Sequence, residues 1–275
     1  MGLRFSKMHG AGNDFVLVDR RQEPAPLSPE LVRRLCDRRL GVGCDQLITI
    51  EPPRSEGAAF AYGIWNQDGS PAGQCGNGAR CAVAWARRAG VFTGPAVRAD
   101  SPSGMIEASI DADGSGIEVE LGCPDFADAA VGFLDDGRPR EIEHEGQRLP
   151  FTCVSMGNPH AVVEVVGLDA APVHEVGARL QRDPRFAAGV NVGFAEVLDR
   201  RQLRLRVFER GVGETLACGS GACAAVAALR RAGRLDARVT VRLPGGALEV
   251  TWPGEGRPVR LRGPATFVFE GEWCE

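Results

Sequence analysis

Two segments of this chain are near-copies of each other, and each carries a cysteine at its second position. Residues 74–90 align with residues 217–233 without a gap, and eleven of the seventeen aligned pairs are identical. The offset between Cys75 and Cys218 is 143 residues, about half of the 275-residue chain. A repeat of this length predicts two similar halves, with one thiol at the same structural position in each half.

The order of predicted elements is also the same in the two halves. Each cysteine precedes an alanine-rich helix that stops at a glycine, and each half carries a further helix and short strands before that cysteine. The predicted helices are 29–36, 78–89 and 176–182, and the clearest strands are 58–65, 162–166 and 203–208. We therefore expect an α+β protein of two pseudo-symmetric domains, each a mostly antiparallel sheet around one long helix. The expected boundaries are 1–117 with 263–275 for the first domain and 118–262 for the second.

The repeat extends beyond the cysteine segments. Gly12-Asn13 matches Gly157-Asn158 at an offset of 145 residues, and Asn66 matches Glu209, each nine residues before its cysteine. These polar residues therefore belong to the repeated unit.

Composition excludes several classes of protein. The net charge of −4 argues against a nucleic-acid-binding surface, and no apolar run approaches the roughly 18 residues of a membrane span. An odd number of cysteines, nine, and the absence of an apolar signal-peptide core favour free thiols in a reducing cytoplasm. Lys7 is the only lysine and has no phosphate-binding loop beside it, which makes a pyridoxal-phosphate enzyme an unfavourable interpretation.

The two repeated cysteines stand where a thiol can act as an acid or a base. A helix N-terminus lowers the pKa of a nearby thiol, and glycines let backbone N–H groups approach an anion. Each repeat thus offers a base beside an anion-binding cradle, in the segments Cys75-Gly76-Asn77 and Cys218-Gly219-Ser220. If the two helices point at each other, both cradles share one carboxylate and its α-carbon lies between the sulfurs. This arrangement predicts inversion of a carbon centre by two thiols.

The remaining cysteines are expected to be small, inert core residues. They are Cys36, Cys44, Cys81, Cys123, Cys153, Cys223 and Cys274. A zinc site built from the cysteines of the two repeats is an alternative, although their spacings are wider than those of typical zinc motifs. A dinucleotide fingerprint starting at Gly219 is another alternative, but about ten residues separate it from the preceding strand.

Several blocks, distributed from residue 7 to residue 223, resemble the diaminopimelate epimerase family. The blocks are Lys7-Met8-His9-Gly10-Ala11-Gly12-Asn13-Asp14-Phe15, Gly43-Cys44-Asp45-Gln46, Asn66-Gln67-Asp68-Gly69-Ser70, residues 74–81, Gly157-Asn158-Pro159-His160, Val190-Asn191-Val192 and residues 209–223. The resemblance implies two barrel-like domains, each around a central helix, with the substrate between them. It implies an isomerase that interconverts LL- and meso-diaminopimelate without a cofactor or metal, for lysine and peptidoglycan precursors.

The resemblance also implies residue roles. Cys75 and Cys218 would be the acid/base pair. The reacting carboxylate would bind Gly76, Asn77, Gly219 and Ser220. The rest of the substrate would bind Asn13, Gln46, Asn66, Asn158, Asn191, Glu209 and Arg210, with Glu209 on an ammonium group; His160 would have a supporting role. We expect a small-molecule substrate and no nucleic-acid or membrane partner, and the oligomeric state stays open, with a homodimer as one arrangement.

Three competing hypotheses remain at this stage. A proline racemase would share the paired cysteines, although the asparagines and Glu209-Arg210 favour a substrate with a charged far end. A non-catalytic binder of small ligands would need neither thiol. A structural zinc protein would be revealed by metal analysis.

Overall fold

The computed structural model describes residues 2–23, 27–114 and 116–274. Within these residues the chain forms seventeen strands: β1 (Leu3–Gly10), β2 (Asn13–Asp19), β3 (Gln46–Glu51), β4 (Phe60–Asn66), β5 (Ala96–Ser101), β6 (Gly104–Ile110), β7 (Ile117–Glu120), β8 (Glu141–His144), β9 (Gln147–Ser155), β10 (Pro159–Glu164), β11 (Asn191–Asp199), β12 (Gln202–Glu209), β13 (Gly213–Thr215), β14 (Arg238–Leu243), β15 (Gly246–Thr251), β16 (Arg260–Gly263) and β17 (Thr266–Trp273).

The same described residues form five α-helices: α1 (Pro29–Cys36), α2 (Gly76–Arg88), α3 (Asp128–Val131), α4 (Val173–Gln181) and α5 (Gly219–Arg231). The Ser28 hydroxyl caps α1 by accepting the Leu31 N–H at 3.2 Å, and Pro29 supplies a first-turn φ that suits a helix. Beyond the C-terminal ends of α2 and α5, Gly90 and Gly233 take positive φ angles of 70° and 74°. No described helix has the length and apolarity needed to cross a membrane.

The chain divides into two compact units, residues 1–120 with 262–275 and residues 121–261. In the first unit β17 pairs with β1, β1 with β2, β3 with β4, β5 with β6 and β6 with β7, all antiparallel. The pairs β2–β3 and β4–β5 are parallel. The C-terminal strand therefore belongs to the same unit as the N-terminal strand.

The second unit repeats the order of these pairs, and it adds the short strand β13, which pairs antiparallel with β12. The pairs β9–β10, β11–β12 and β14–β15 are antiparallel, and β10–β11 and β12–β14 are parallel. The helix α1 lies between β2 and β3 in the chain, just as α4 lies between β10 and β11. This order confirms the expected α+β architecture of two similar, mostly antiparallel units.

A small-residue helix lies at the centre of each unit. In the first unit α2 packs against β1, β2, β3, β4 and β7, and in the second α5 packs against β9, β10, β11, β12 and β15. Every residue from Gly221 to Leu229 of α5 is buried. A helix that is apolar all round must be enclosed, and alanine keeps its helix propensity while letting strands approach closely.

The strands beside the central helices are buried on both faces. Val16 and Val18 of β2 pack with Leu35 of α1, whereas Phe15 of the same strand faces α2, where Gly78 lies. In β10, Ala161 and Val163 pack in the cluster that includes α4. The alternate residue of β10, His160, faces α5. Because side chains alternate along a strand, one end of each strand brings its polar residues to the N-terminus of the central helix.

Some sequence-based expectations need correction. The helix expected at 78–89 begins at Gly76, because Cys75 is its N-cap, and the helix expected at 176–182 spans Val173–Gln181. The strands expected at 58–65, 162–166 and 203–208 span Phe60–Asn66, Pro159–Glu164 and Gln202–Glu209. Cys123 and Cys274 are exposed, so their assignment to the core was wrong.

Candidate active site

Cys75 caps the N-terminus of the central helix of the first unit. Its sulfur accepts the N–H of Gly78 at 3.4 Å, and its carbonyl accepts the first helical N–H, from Ala79, at 2.8 Å. Cys75 is partly buried. The thiol therefore lies at the positive end of the helix dipole, where negative charge on sulfur is stabilised.

Two asparagines lie beside Cys75. The Cys75 thiol donates to Oδ1 of Asn13 at 3.7 Å, and Nδ2 of Asn77 donates to the same oxygen at 3.2 Å. Asn13 begins β2, directly after the β1–β2 turn in which Ala11 and Gly12 take φ angles of 53° and 85°. That left-handed turn brings the carboxamide of Asn13 to the helix N-terminus.

Charged residues hold these two asparagines from either side. Nδ2 of Asn13 donates to Asp45 at 2.8 Å, and the fully buried Arg80 donates to Oδ1 of Asn77 at 2.7 Å. Arg80 also donates to the carbonyls of Gly76 and Pro264 at 3.3 and 3.2 Å. Sequence reasoning missed Asp45 and Arg80. The available signal for Arg80 was divergence within the repeat, because the aligned residue in the second half is a cysteine.

An ion network lies behind Asp45. Arg38 bridges the carboxylates of Asp45 and Asp14, each at 2.7 Å, and Lys7 pairs with Asp14 at 2.5 Å. Burial opposes ionisation of Asp14, but the hydrogen bonds and charges of Arg38 and Lys7 outweigh it and lower its pKa well below the usual range. Lys7, the single lysine of the chain, is thus held in this ion network.

Gln46 and Asn66 form a second polar group in the first unit. They are opposite each other on the antiparallel strands β3 and β4, and Nε2 of Gln46 donates to Oδ1 of Asn66 at 3.1 Å. Nδ2 of Asn66 donates to Ser70 at 3.1 Å in the following turn. The cross-strand register fixes both amides at the same end of the sheet.

Cys218 caps α5 in the second unit, but its partner is a carboxylate. The thiol donates to Oε2 of Glu209 at 3.1 Å, and Oε1 of Glu209 accepts the Thr215 hydroxyl at 2.5 Å. Cys218 is buried. Burial raises the pKa of the Cys218 thiol well above its usual range, and the charge and hydrogen bond of Glu209 raise it further. Cys218 is therefore a thiol, not a thiolate, at neutral pH in this environment.

His160 joins Asn158 and Ser220 next to Cys218. Nε2 of His160 lies 3.0 Å from Oδ1 of Asn158 and 3.1 Å from Oγ of Ser220, and Nδ2 of Asn158 donates to Ser220 at 3.2 Å. With the Asn158 amide in this orientation its oxygen can only accept, so Nε2 carries the imidazole proton. Burial, followed by the charge of Arg210, lowers the pKa of His160 to about 3. His160 is a neutral donor here.

Asn191 and Arg210 form the other polar group of the second unit. Oδ1 of Asn191 accepts the backbone N–H of Arg210 at 2.9 Å, and Nδ2 of Asn191 donates to the Pro159 carbonyl at 3.0 Å. The Arg210 side chain is exposed and donates to the Ala188 carbonyl at 3.0 Å. Asn191 pairs with His160 across the parallel strands β10 and β11, which connects this group to the thiol group.

The structure therefore groups the sequence-predicted residues within each unit. The first unit holds Asn13, Gln46, Asn66, Cys75, Gly76 and Asn77, and the second holds Asn158, His160, Asn191, Glu209, Arg210, Cys218, Gly219 and Ser220. Gly76 and Gly219 are the first residues of α2 and α5, where backbone N–H groups point along the helix axis. In the described part of the chain, no three His, Cys, Asp or Glu side chains are grouped as metal ligands.

Comparison with known sequences identifies the family. The profile of the diaminopimelate epimerase family matches residues 5–127 and 152–268. The chain is 54% identical to the diaminopimelate epimerase of Xanthomonas axonopodis pv. citri over 274 residues, which are 98% of this chain and 96% of that protein. This chain belongs to the diaminopimelate epimerase family. The expectation of an isomerase of this family is thereby confirmed.

Other relatives share the sequence or the fold. The O-ureido-serine racemase of Streptomyces lavendulae is 52% identical over 98% of this chain and 94% of its own length. A PhzF-family phenazine biosynthesis protein of Bacillus anthracis aligns over the full length of both chains with a TM-score of 0.71 and 18% identity. A probable proline racemase of Agrobacterium radiobacter K84 has a TM-score of 0.73 and 16% identity, over 99% of this chain and 93% of that chain. At these identities the two solved structures establish the fold alone.

Proposed function

We propose that this protein converts LL-2,6-diaminopimelate into meso-diaminopimelate without a cofactor, with Cys75 and Cys218 as its acid/base pair. The observation that carries the proposal is that each cysteine is the N-cap residue of the central helix of its unit, at equivalent positions of a duplicated fold. Membership of the diaminopimelate epimerase family supports the substrate. The proposed setting is the cytoplasmic synthesis of lysine and peptidoglycan precursors.

The reaction needs one proton acceptor and one proton donor on opposite faces of the α-carbon. In the proposed mechanism a thiolate removes the α-proton, and the other thiol delivers a proton to the opposite face, which inverts the centre. The two sulfurs exchange roles in the reverse direction. Because the α-proton of an amino acid is far less acidic than a thiol, stabilisation of the developing negative charge must lower the barrier.

The helix N-termini supply that stabilisation in the proposal. Backbone N–H groups at Gly76, Asn77, Gly219 and Ser220 would donate to the substrate carboxylate, where charge increases as the proton leaves. One preorganised donor of this kind is typically worth about 2.7–4 kcal/mol of barrier. The same dipoles stabilise a thiolate, so each helix would serve both the base and the charged substrate.

Glu209 supports a specific role for the second thiol. Its carboxylate accepts the S–H of Cys218, so it can take that proton when Cys218 must become the thiolate. Cys218 then regains a proton from the α-carbon, and the enzyme is reset when the proton on Glu209 passes to solvent and Cys75, which gave its proton to the substrate, takes one from solvent. Cys218 and Thr215 donate to different oxygens of this carboxylate. In the proposal a substrate ammonium group donates to the same carboxylate.

The rest of the substrate would bind the side-chain amides of both units. Asn66 and Gln46 in the first unit, and Asn158 and Asn191 in the second, supply donors and acceptors in fixed orientations, and Asn13 supports the reacting end. Arg210 is exposed, and its backbone is held by Asn191, so its guanidinium can reach a carboxylate. A site with these groups rejects substrates that would leave them unpaired.

A second candidate function is racemisation of O-ureido-serine. The relative that carries this name is as similar to the chain as several of the named epimerases, at 52% identity over almost its full length. Both substrates present an α-amino acid to the thiols. They differ at the far end, which is a charged amino-acid group in diaminopimelate and an uncharged ureido group in O-ureido-serine. The charged residues Glu209 and Arg210 favour diaminopimelate.

The decisive experiment is incubation of the reduced protein with LL-diaminopimelate in D2O, followed by chiral chromatography and mass spectrometry. We expect meso product with one deuterium at the inverted α-carbon and no added cofactor. The Cys123→Ser variant, which removes an exposed cysteine outside both thiol groups, should behave like the wild type. Parallel incubations use O-ureido-L-serine and L-proline.

The outcomes separate the hypotheses. Faster turnover of O-ureido-L-serine than of diaminopimelate would mean that O-ureido-serine is the substrate, and the two-thiol mechanism would still stand. Exchange of L-proline alone would reassign the protein to proline racemases. Absence of exchange with all three amino acids would contradict the proposed function and favour a ligand-binding role.

A further inference from the structure

Four side chains of the first unit form one hydrogen-bonded relay that we call the amide relay: Arg80, Asn77, Asn13 and Asp45. Arg80 donates to Asn77 at 2.7 Å, Asn77 to Asn13 at 3.2 Å, and Asn13 to Asp45 at 2.8 Å. A guanidinium can only donate and a carboxylate can only accept. The charged ends of the amide relay therefore fix the orientation of both carboxamides between them.

This orientation determines which atom faces Cys75. With its amide nitrogen held by Asp45, Asn13 presents Oδ1 to the Cys75 sulfur at 3.7 Å. An oxygen at this place accepts a hydrogen bond from a thiol and repels a thiolate. If the carboxamide of Asn13 turned over, its Nδ2 would donate to the sulfur and favour the thiolate instead.

The second unit has no equivalent of the amide relay. At the repeat offsets of 143 and 145 residues, Cys223 stands in place of Arg80 and Val190 in place of Asp45, and both are buried. The strand registers Phe15–Gln46 and His160–Asn191 support the second of these alignments. The device is therefore specific to Cys75 and not a general requirement of the fold.

We propose that Arg80 and Asp45 are positioning residues for the epimerisation, which fix the carboxamides of Asn77 and Asn13 so that Cys75 rests as a thiol. This inference depends on the proposed function for its catalytic meaning. The effect on Cys75 itself is measurable without any substrate. In this inference each residue acts through an asparagine, Arg80 through Asn77 and Asp45 through Asn13.

The test compares Asp45→Asn and Arg80→Gln. Each replacement side chain carries both a donor and an acceptor, so it removes the constraint on orientation; Asp45→Asn keeps the size, whereas Arg80→Gln shortens the side chain. The first readout is the rate at which iodoacetamide alkylates Cys75 at pH 7.5, followed by mass spectrometry of the peptide that carries Cys75. We expect both variants to react at least threefold faster than the wild type. The second readout is kcat for diaminopimelate, which we expect to fall at least fivefold.

The opposite charges of the two ends make the result diagnostic. If charge alone mattered, loss of the Asp45 carboxylate would speed alkylation and loss of the Arg80 guanidinium would slow it. The amide relay instead predicts the same direction for both. Arg38→Gln is the matched control, because it removes an ion pair of Asp45 and leaves the hydrogen bond from Asn13 in place. It should stay within about twofold of the wild type in the alkylation rate.

Opposite changes in the two variants, or equal changes in Asp45→Asn and Arg38→Gln, would overturn the inference. If Arg80→Gln does not fold, the alkylation rates of Asp45→Asn and Arg38→Gln still test the inference, because Asp45 is partly exposed and its replacement should be tolerated. Faster alkylation in Asp45→Asn with a nearly unchanged rate in Arg38→Gln supports the amide relay. A wild type that does not act on diaminopimelate would contradict the proposed function. The alkylation rates would still test the amide relay in that case.

Discussion

The two thiols occupy equivalent positions in duplicated units, yet their surroundings differ in charge. Cys75 is partly buried and lies against a neutral amide oxygen, whereas Cys218 is buried and donates to the carboxylate of Glu209. Each unit also buries a polar side chain on or against its central helix where the other has an apolar residue or a cysteine. Arg80 aligns with Cys223, and His160 stands where the first unit has Phe15.

This difference separates what the fold supplies from what each half adds. Both units give a thiol the same helix N-terminus and the same Gly-x-Gly backbone, and a helix N-terminus stabilises nearby negative charge. The side chains that surround each thiol proton differ between the two halves. The first unit holds two amides between a guanidinium and a carboxylate, and the second uses a carboxylate and a neutral imidazole. The duplicated scaffold thus surrounds its two equivalent thiols with different polar groups.

The largest effect should come from removing either thiol. Because each sulfur serves one face of the α-carbon in the proposed mechanism, Cys75→Ala and Cys218→Ala should each lower epimerase turnover by roughly 10³-fold, within the range for loss of a general acid or base. The effect should appear in both reaction directions. Steady-state rates with LL- and meso-diaminopimelate check this, with Cys123→Ser as the control. Substantial turnover in either single variant would show that one thiol is sufficient.

Glu209→Gln should produce the next largest effect, and only on the Cys218 side. Loss of the carboxylate removes the acceptor for the thiol proton, so kcat should fall about 10- to 100-fold. Alkylation of Cys218 should become faster, because the negative charge that disfavours its thiolate is gone. Glu214→Gln is the matched control, since Glu214 pairs with Arg206 and does not contact the thiol. Equal losses in the two variants would contradict the role of Glu209.

The sequence predicts the repeated parts of this molecule well. The cysteine segments, their helices and the α+β class follow from the repeat, because helix stops, alanine content and alternation are local signals. Helix α2 was nevertheless expected to begin two residues late, since glycines near a helix N-terminus carry weak helix propensity.

The partners of the thiols are harder to predict. Asp45 lies 32 positions from Asn13, and no local pattern encodes a contact at that separation. Arg80 lies three positions from Asn77 on α2, so the helical spacing was a further signal that sequence reasoning did not use. Glu209 was expected on an ammonium group, while the structure adds its hydrogen bond to Cys218. Burial of individual cysteines is also a tertiary property, which is why Cys123 and Cys274 were assigned to the core incorrectly.

His160→Gln tests the neutral histidine of the second unit through the pH dependence of stability. Burial lowers the pKa of His160 from 6.5 to about 3, so the folded state binds fewer protons than the unfolded state between these values. Stability from this group is present above pH 6.5 and is lost as the pH falls, by up to about 1.4 kcal/mol per pH unit. Urea unfolding at pH 7.0, 6.0 and 5.0 should show a steeper loss in the wild type than in the variant. Parallel curves would mean that His160 is protonated in the folded protein.

The smallest expected effect distinguishes the two Gly-x-Gly turns. A Cβ at Gly221 would lie 3.3 Å from the Cys218 sulfur and 3.1 Å from Val207, whereas at Gly78 the nearest atoms belong to Ile48, at 3.1 Å, and Phe15. Gly221→Ala should therefore displace the sulfur and lower kcat about three- to tenfold, and Gly78→Ala should change kcat less than threefold. In both variants, crowding offsets the roughly 0.5–1 kcal/mol that alanine contributes to a helix. Thermal unfolding and kcat measured together separate stability from displacement of the sulfur. A larger loss of kcat in Gly78→Ala would mean that Cys75, despite its greater exposure, is the more tightly constrained thiol.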